Sequence, residues 1–171
     1  MHPLELERLA DGGGNVRIGW VGEGILYAKY EAGLSAELGL RLASRLDALL
    51  APCTTLRMFV DASTLKHYDL LARSAFVRTV LAHKSKFAAL VVLKWDGVVS
   101  PASRTLVALL GEPSEFLNDG VDFQLQLFRA APHAPQVLAQ SSIGPVEPTS
   151  GAEAKAAAPR SFALGSVGFR H

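Results

Sequence analysis

Within seven residues, Ser63, His67 and Asp69 supply a hydroxyl, an imidazole and a carboxylate, the groups of a nucleophile, its base and an orienting acid. Such a triad works only when its side chains converge within hydrogen-bond reach, and separate elements normally deliver them. Three residues along one short stretch rarely converge, and no glycine-flanked elbow holds Ser63. Loop polarity and helix capping explain them more simply, so no enzyme is expected and no catalytic residue is assigned. For a metal, His67, Asp69 and His83 are the nearest group, with no His-x3-His or similar pair. Exposed histidines are the expectation there, without metal or other cofactor. Gly12–Gly14 and Gly22–Glu23–Gly24 do not form phosphate loops, because neither is followed by Lys-Ser/Thr and a helix. The basic group Arg78, His83, Lys84 and Lys86 suits the negative end of a helix dipole better than a phosphate site.

What remains is a surface. Ser63, Lys66, His67, Asp69 and Arg73 surround Tyr68, and a large aromatic among polar groups is a usual interface anchor. Packing of that ring against the first turn of a following helix would account for it as well.

The elements that must position this surface follow from the apolar pattern. Leu56, Met58, Phe59 and Val60 form an apolar run too short for a helix and unbroken by Gly or Pro, as in a central strand buried on both faces. It opens into a polar loop from Asp61 through Ser63 and Thr64, and Asp69 caps a helix running to about His83. Upstream, Val16–Val21 and Ile25–Tyr30 read as strands joined by the hairpin loop Gly22–Glu23–Gly24. Ser35 caps a helix whose buried stripe is Leu38, Leu42, Leu46 and Leu49, and Pro52 stops it. Downstream, Phe87–Trp95 is a second buried strand, and Trp20 and Trp95 belong to strand-face packing. Ser100–Pro101 starts a helix with Leu106, Val107 and Leu110 facing inward and Gly111 at its end. Glu112–Asp119 is a loop, and Phe123–Phe128 alternates as a last strand with one wetter face. The expected order is β-β-α-β-α-β-α-β, an open α/β sheet with helices packed on it. Residues 1–15 read as a flexible lead segment, 16–131 as the domain, and 132–171 as a disordered tail rich in Pro, Ala, Ser and Gly.

Bulk properties narrow the function classes. The chain has 171 residues, 49% hydrophobic and 19% charged, enough for one cored domain with extensions. A net charge of +1 provides no general pull toward nucleic acid or an anionic membrane. Cys53 is the single cysteine, so neither an intrachain disulfide nor a cysteine zinc cage can form, which suits a reducing compartment. No signal peptide and no membrane span is read, and the expected location is cytoplasmic.

Two blocks of residues resemble the STAS domains, the fold of bacterial anti-sigma-factor antagonists. In that family a strand ends in an acidic or amide residue, and an Asp-Ser-Ser-Gly motif begins eight residues later at a helix. Asp61 and Asp69 keep this spacing. The antagonists also carry a Ser-Pro-Ala helix start ending in Gly, matched by Ser100–Pro101–Ala102 through Gly111. The likeness covers residues 16–128. It implies a STAS-like fold and a non-catalytic signalling or protein-interaction module. The family's phosphorylated serine, two residues after the motif aspartate, is here Leu71, with Leu70 before it and Ala72 at the glycine position. The family's Gly-Glu-Leu-Asp stretch survives only as Gly33–Leu34–Ser35. The resemblance therefore implies a divergent member without the serine phosphoswitch. The expected partner is a protein of unknown identity bound through Ser63, Lys66, His67, Tyr68, Asp69 and Arg73, with a homodimer left open. The competing expectation is a hydrophobic small ligand or lipid held in an apolar cavity between sheet and helices.

Overall fold

In the computed structural model, residues 3–94, 107–111 and 113–141 are described. One sheet of six strands organises them, in the spatial order β1-β2-β3-β4-β5-β6. The strands are β1 (Leu6–Ala10), β2 (Gly14–Gly22), β3 (Ile25–Leu34), β4 (Leu56–Tyr68), β5 (Phe87–Leu93) and β6 (Glu115–Leu117). β1, β2 and β3 pair antiparallel, whereas β3, β4, β5 and β6 pair parallel. The sequence order equals the spatial order, so successive crossovers of one hand place their helices on one face. That face carries α1 (Ala36–Leu50) and α2 (Leu70–Ala82).

α1 forms as its residues dictate. The Ser35 hydroxyl accepts from the Leu38 N–H, and Leu38, Leu42, Leu46 and Leu50 are fully buried. Leu49, expected in that stripe, is only partly buried. Each such leucine contributes about 1.5–3 kcal/mol by leaving water. Their core partners on the sheet include Ile18, Leu26, Met58, Val60 and Leu90. The basic residues after α2 turn out to serve α1. The Lys86 ammonium donates to the Leu50 and Ala51 carbonyls at 2.8 and 2.9 Å, and His83 Nε2 lies 2.7 Å from Asp47.

Several expectations are corrected. The lead segment contains β1, which pairs with β2 from Leu6↔Gly19 to Ala10↔Asn15. Leu6 and Leu9 enter different core clusters, so this edge strand lacks the alternation that marks a half-buried strand. The glycine run is the turn between β1 and β2, where the Asp11 carboxylate accepts from the Gly13 and Gly14 N–H groups. The next hairpin is tighter than expected: Gly22 pairs with Ile25, and Gly24 takes φ +64°. The loop at 112–119 contains β6, beside β5.

The largest correction concerns 120–141. The expected last strand is α3 (Gly120–Ala130), and the expected tail begins with α4 (Ala134–Ser141). Phe123 and Leu127, four residues apart, are the buried positions of α3, a helical period despite the alternation of Phe123, Leu125 and Leu127 in sequence. Asp119 accepts from the Val121 and Asp122 N–H groups and starts the helix. α3 and α4 cover the sheet face that α1 and α2 leave open, joining Phe123, Leu127, Ala134 and Val137 to Val21, Tyr27, Phe59 and Val91. Phe59 meets Phe123 edge to face at 5.7 Å. β4 is thus buried on both faces at Met58–Val60, as its apolar run demanded, while Arg57 is exposed. Residues 107–110 are helical and Gly111 ends the turn at φ +77°, whereas the Ser100–Pro101 start lies outside the described residues, as do 142–171.

Candidate functional site

β4 does not open into a loop at Asp61. It runs on to Tyr68, paired with β3 through Glu31↔Thr64 and Leu34↔Tyr68, across two register shifts. Its other neighbour, β5, stops at Leu93 opposite Asp61. Beyond that point no described strand flanks β4 on that side, and polar residues occupy the segment. This is why Ser63, Thr64, Lys66 and His67 resemble a loop in sequence while forming a strand. The Thr64 hydroxyl donates to the Tyr30 carbonyl at 2.9 Å, and the Asp69 N–H donates to the Leu34 carbonyl at 2.8 Å.

The strand hands directly to α2. The Asp69 carboxylate accepts from the Leu71 N–H at 2.7 Å, the cap expected of it. Tyr68 is 39% exposed, and Leu70 and Leu71 are 66% and 65% exposed, so three large apolar side chains face solvent within four residues. The Arg73 guanidinium stands 5.7 Å from the Tyr68 ring centroid, with Nη1 3.5 Å from the phenol oxygen. The ring therefore packs on the first helical turn and presents an outer face at the same time. Lys66, His67 and Asp69 are exposed around it.

The six expected site residues do not form a catalytic group. The Ser63 hydroxyl donates to Asp61 at 2.5 Å, Asp69 is engaged by the helix, and His67 lies over Gly33. Asp61 also accepts from the Tyr27 phenol at 3.4 Å and faces Lys29 at 3.9 Å, which draws Ser63 away from Tyr68 into a separate polar cluster. In that cluster burial opposes ionisation of Glu31, but the hydrogen bond and charge of Arg17 outweigh it and hold the carboxyl below its ordinary value. Among the described residues no three His, Cys, Asp or Glu side chains are grouped to hold a metal. The Cys53 thiol donates to the Leu49 carbonyl, and burial pushes its pKa up, so it has no thiolate character.

Sequence inspection names no lining for a cavity, yet one of about 130 Å³ lies between α2 and the carboxyl ends of β3, β4 and β5. Tyr30, Leu34, Val60, Phe76, Val77, Leu90 and Val92 line it, with Tyr68, Arg73 and Lys94 also contributing. Its signal in the sequence is indirect: small Ala62 and half-buried Leu65 replace bulk where β4 leaves β5.

This architecture has a solved counterpart. An uncharacterised DUF3478-family protein from Shewanella loihica, with a SpoIIAA-like fold, aligns at TM-score 0.50 and 17% identity, covering 74% of this chain and 95% of that one. The fold is SpoIIAA-like, a STAS-type α/β sheet. An anti-sigma factor antagonist from Mycobacterium paratuberculosis aligns at TM-score 0.43 and 13% identity, over 73% of this chain and 96% of its own. No protein-family model matches the sequence, and no curated protein does. No described helix is long and apolar enough to cross a membrane.

Proposed function

We propose that this STAS-type domain is a non-catalytic, regulatory protein-interaction module whose docking surface is the junction of β4 and α2. The observation that carries this is the exposure of Tyr68, Leu70 and Leu71 at a capped, well-anchored helix start. Leaving three large apolar side chains in water offers the fold nothing, whereas a partner gains by covering them. Lys66, His67, Asp69 and Arg73 supply the polar rim that surrounds such anchors in protein interfaces. The cation–π contact with Arg73 holds Tyr68 in place before binding, which lowers the ordering cost of association. Ser63 turns inward toward Asp61 and contributes to the strand, not to this surface.

Leu71 stands where the resembling family carries its phosphorylated serine. A hydroxyl there can be switched by a kinase, whereas a leucine makes the apolar contact permanent. The reading is therefore a constitutive docking surface, with control residing elsewhere. A photo-crosslinking residue at position 71 tests it in cells. A discrete crosslinked protein should form from position 71 and not from exposed Leu125 on α3. Crosslinks to a second copy of the chain would identify a homodimer as the partner. Equal, diffuse crosslinking from both positions would refute the surface.

A further inference from the structure

Arg57 places a charge where an interior strand ordinarily carries an apolar side chain. It is the second residue of β4, paired with Ile25 of β3 on one side and Ala89 of β5 on the other. Its side chain lies on the sheet face of Phe59, the face that α3 and α4 cover. That cover is incomplete. Beside the last turn of α3, a cleft of about 260 Å³ opens over the amino-end half of β4, β5 and β6. Its floor is apolar and buried, with Phe59, Ala89 and Val91 only 2%, 3% and 3% exposed. Arg57 lines it from the strand and Arg129 from the helix, and both are exposed. Among the described residues neither guanidinium has a hydrogen bond, an ion pair or an aromatic ring as partner. Glu115, the acidic residue in the described lining, is already engaged: its carboxylate accepts from the Gln126 amide at 2.7 Å. The dipole of α3 accounts for a cation at Arg129, in its last turn, but not for one on β4.

We propose that this cleft binds a small organic oxyanion, its carboxylate or phosphate held between Arg57 and Arg129 and its apolar body laid on Phe59, Ala89 and Val91. The guanidinium fork matches the paired oxygens of a carboxylate or phosphate, and such charge-assisted hydrogen bonds are roughly twice as strong as neutral ones. Two guanidinium groups on one cleft therefore select an anion over its neutral isostere. The volume, about 260 Å³, falls just below the ~300–1,000 Å³ of drug-sized ligand sites, which limits the body to a single ring or a short chain. The cleft shares no residue with the docking surface at Tyr68, Leu70 and Leu71, which lies at the other end of β4. Ligand binding and partner docking thus succeed or fail separately.

Titration of the full chain with benzoate, phenyl phosphate and neutral benzamide, followed by calorimetry at low salt, tests the assignment. At least one anion should bind one to one and about tenfold or more tighter than benzamide, and the stronger anion identifies the head. Arg57→Gln and Arg129→Gln should each weaken that anion by about tenfold. Both side chains are exposed, so the variants should fold, which melting verifies. Arg78→Gln removes the same charge from α2, on the opposite face of the sheet, and should leave anion binding as in the wild type. Failure of both anions to bind, equal affinity for benzamide, unchanged binding in both cleft variants, or an equal loss in Arg78→Gln would overturn the proposal.

Discussion

Gly39 of α1 meets Ala72 of α2 so closely that a Cβ on the glycine would fall 2.2 Å from the Ala72 methyl. This contact sets how near the two helices lie, and so where the first turn of α2 holds Leu70, Leu71 and Arg73. A small residue at position 72 is required by the helix pair. Gly39→Ala should therefore cost roughly 1–3 kcal/mol as overpacking, because backbone and a short methyl cannot move aside cheaply. Denaturant unfolding measures it; an unchanged midpoint would show that the helices slide freely.

Asp69→Ala removes the cap of α2 and should lower stability by about 0.5–2 kcal/mol. Tyr68→Ala should leave the melting temperature nearly unchanged, since more than a third of the residue is in water. The same substitution should weaken partner binding by roughly 1–3 kcal/mol. Melting and affinity measured on both variants separate a structural carboxylate from a binding ring.

Acid should release a latch at the start of α1. Asp11 accepts from Gly13, Gly14 and Ser35, and the Ser35 hydrogen bond, aided by the backbone N–H groups, holds its carboxyl below the ordinary 3.8. A folded-state pKa below the unfolded one means that the unfolded chain binds more protons near that pH. The stabilisation is present above the unfolded value and disappears as pH falls through the folded one. Asp11→Ala should thus melt below the wild type at neutral pH, with the gap closing in strong acid. A constant gap would assign the loss to packing instead.

Removing residues 132–171 should destabilise the domain markedly, because buried Ala134 and Val137 go with α4. An unchanged melting temperature would show that this helix adds nothing to the core.

The central architecture was legible because burial writes itself into the sequence. The doubly buried run at Leu56–Val60, the stripe from Leu38 to Leu46 and the caps Ser35 and Asp69 are local patterns with one physical solution each. The errors have physical causes too. Phe123, Leu125 and Leu127 alternate like a strand, but only Phe123 and Leu127 are buried, and Leu125 faces water on a helix. β1 places its two leucines on opposite faces, and Ser63–Tyr68 is paired with β3 alone among the described residues, so both lack the expected period. Of the candidate site, the types and order of Lys66–Arg73 were visible in sequence. The exposure of Leu70 and Leu71 was not, since a leucine pair at a helix start reads as core. The cavity depends on contacts between β3, β4, β5 and α2, which no local window contains.

The most direct test of the docking surface is quantitative capture from a native lysate by wild type, Leu71→Asp and Leu125→Asp, with folding of each verified by melting. Leu71 and Leu125 are both exposed leucines, at 65% and 47%, on opposite faces of the sheet. A charge at position 71 should abolish retention of a stoichiometric partner that wild type and Leu125→Asp both keep. Undiminished retention by a folded Leu71→Asp variant would contradict the account.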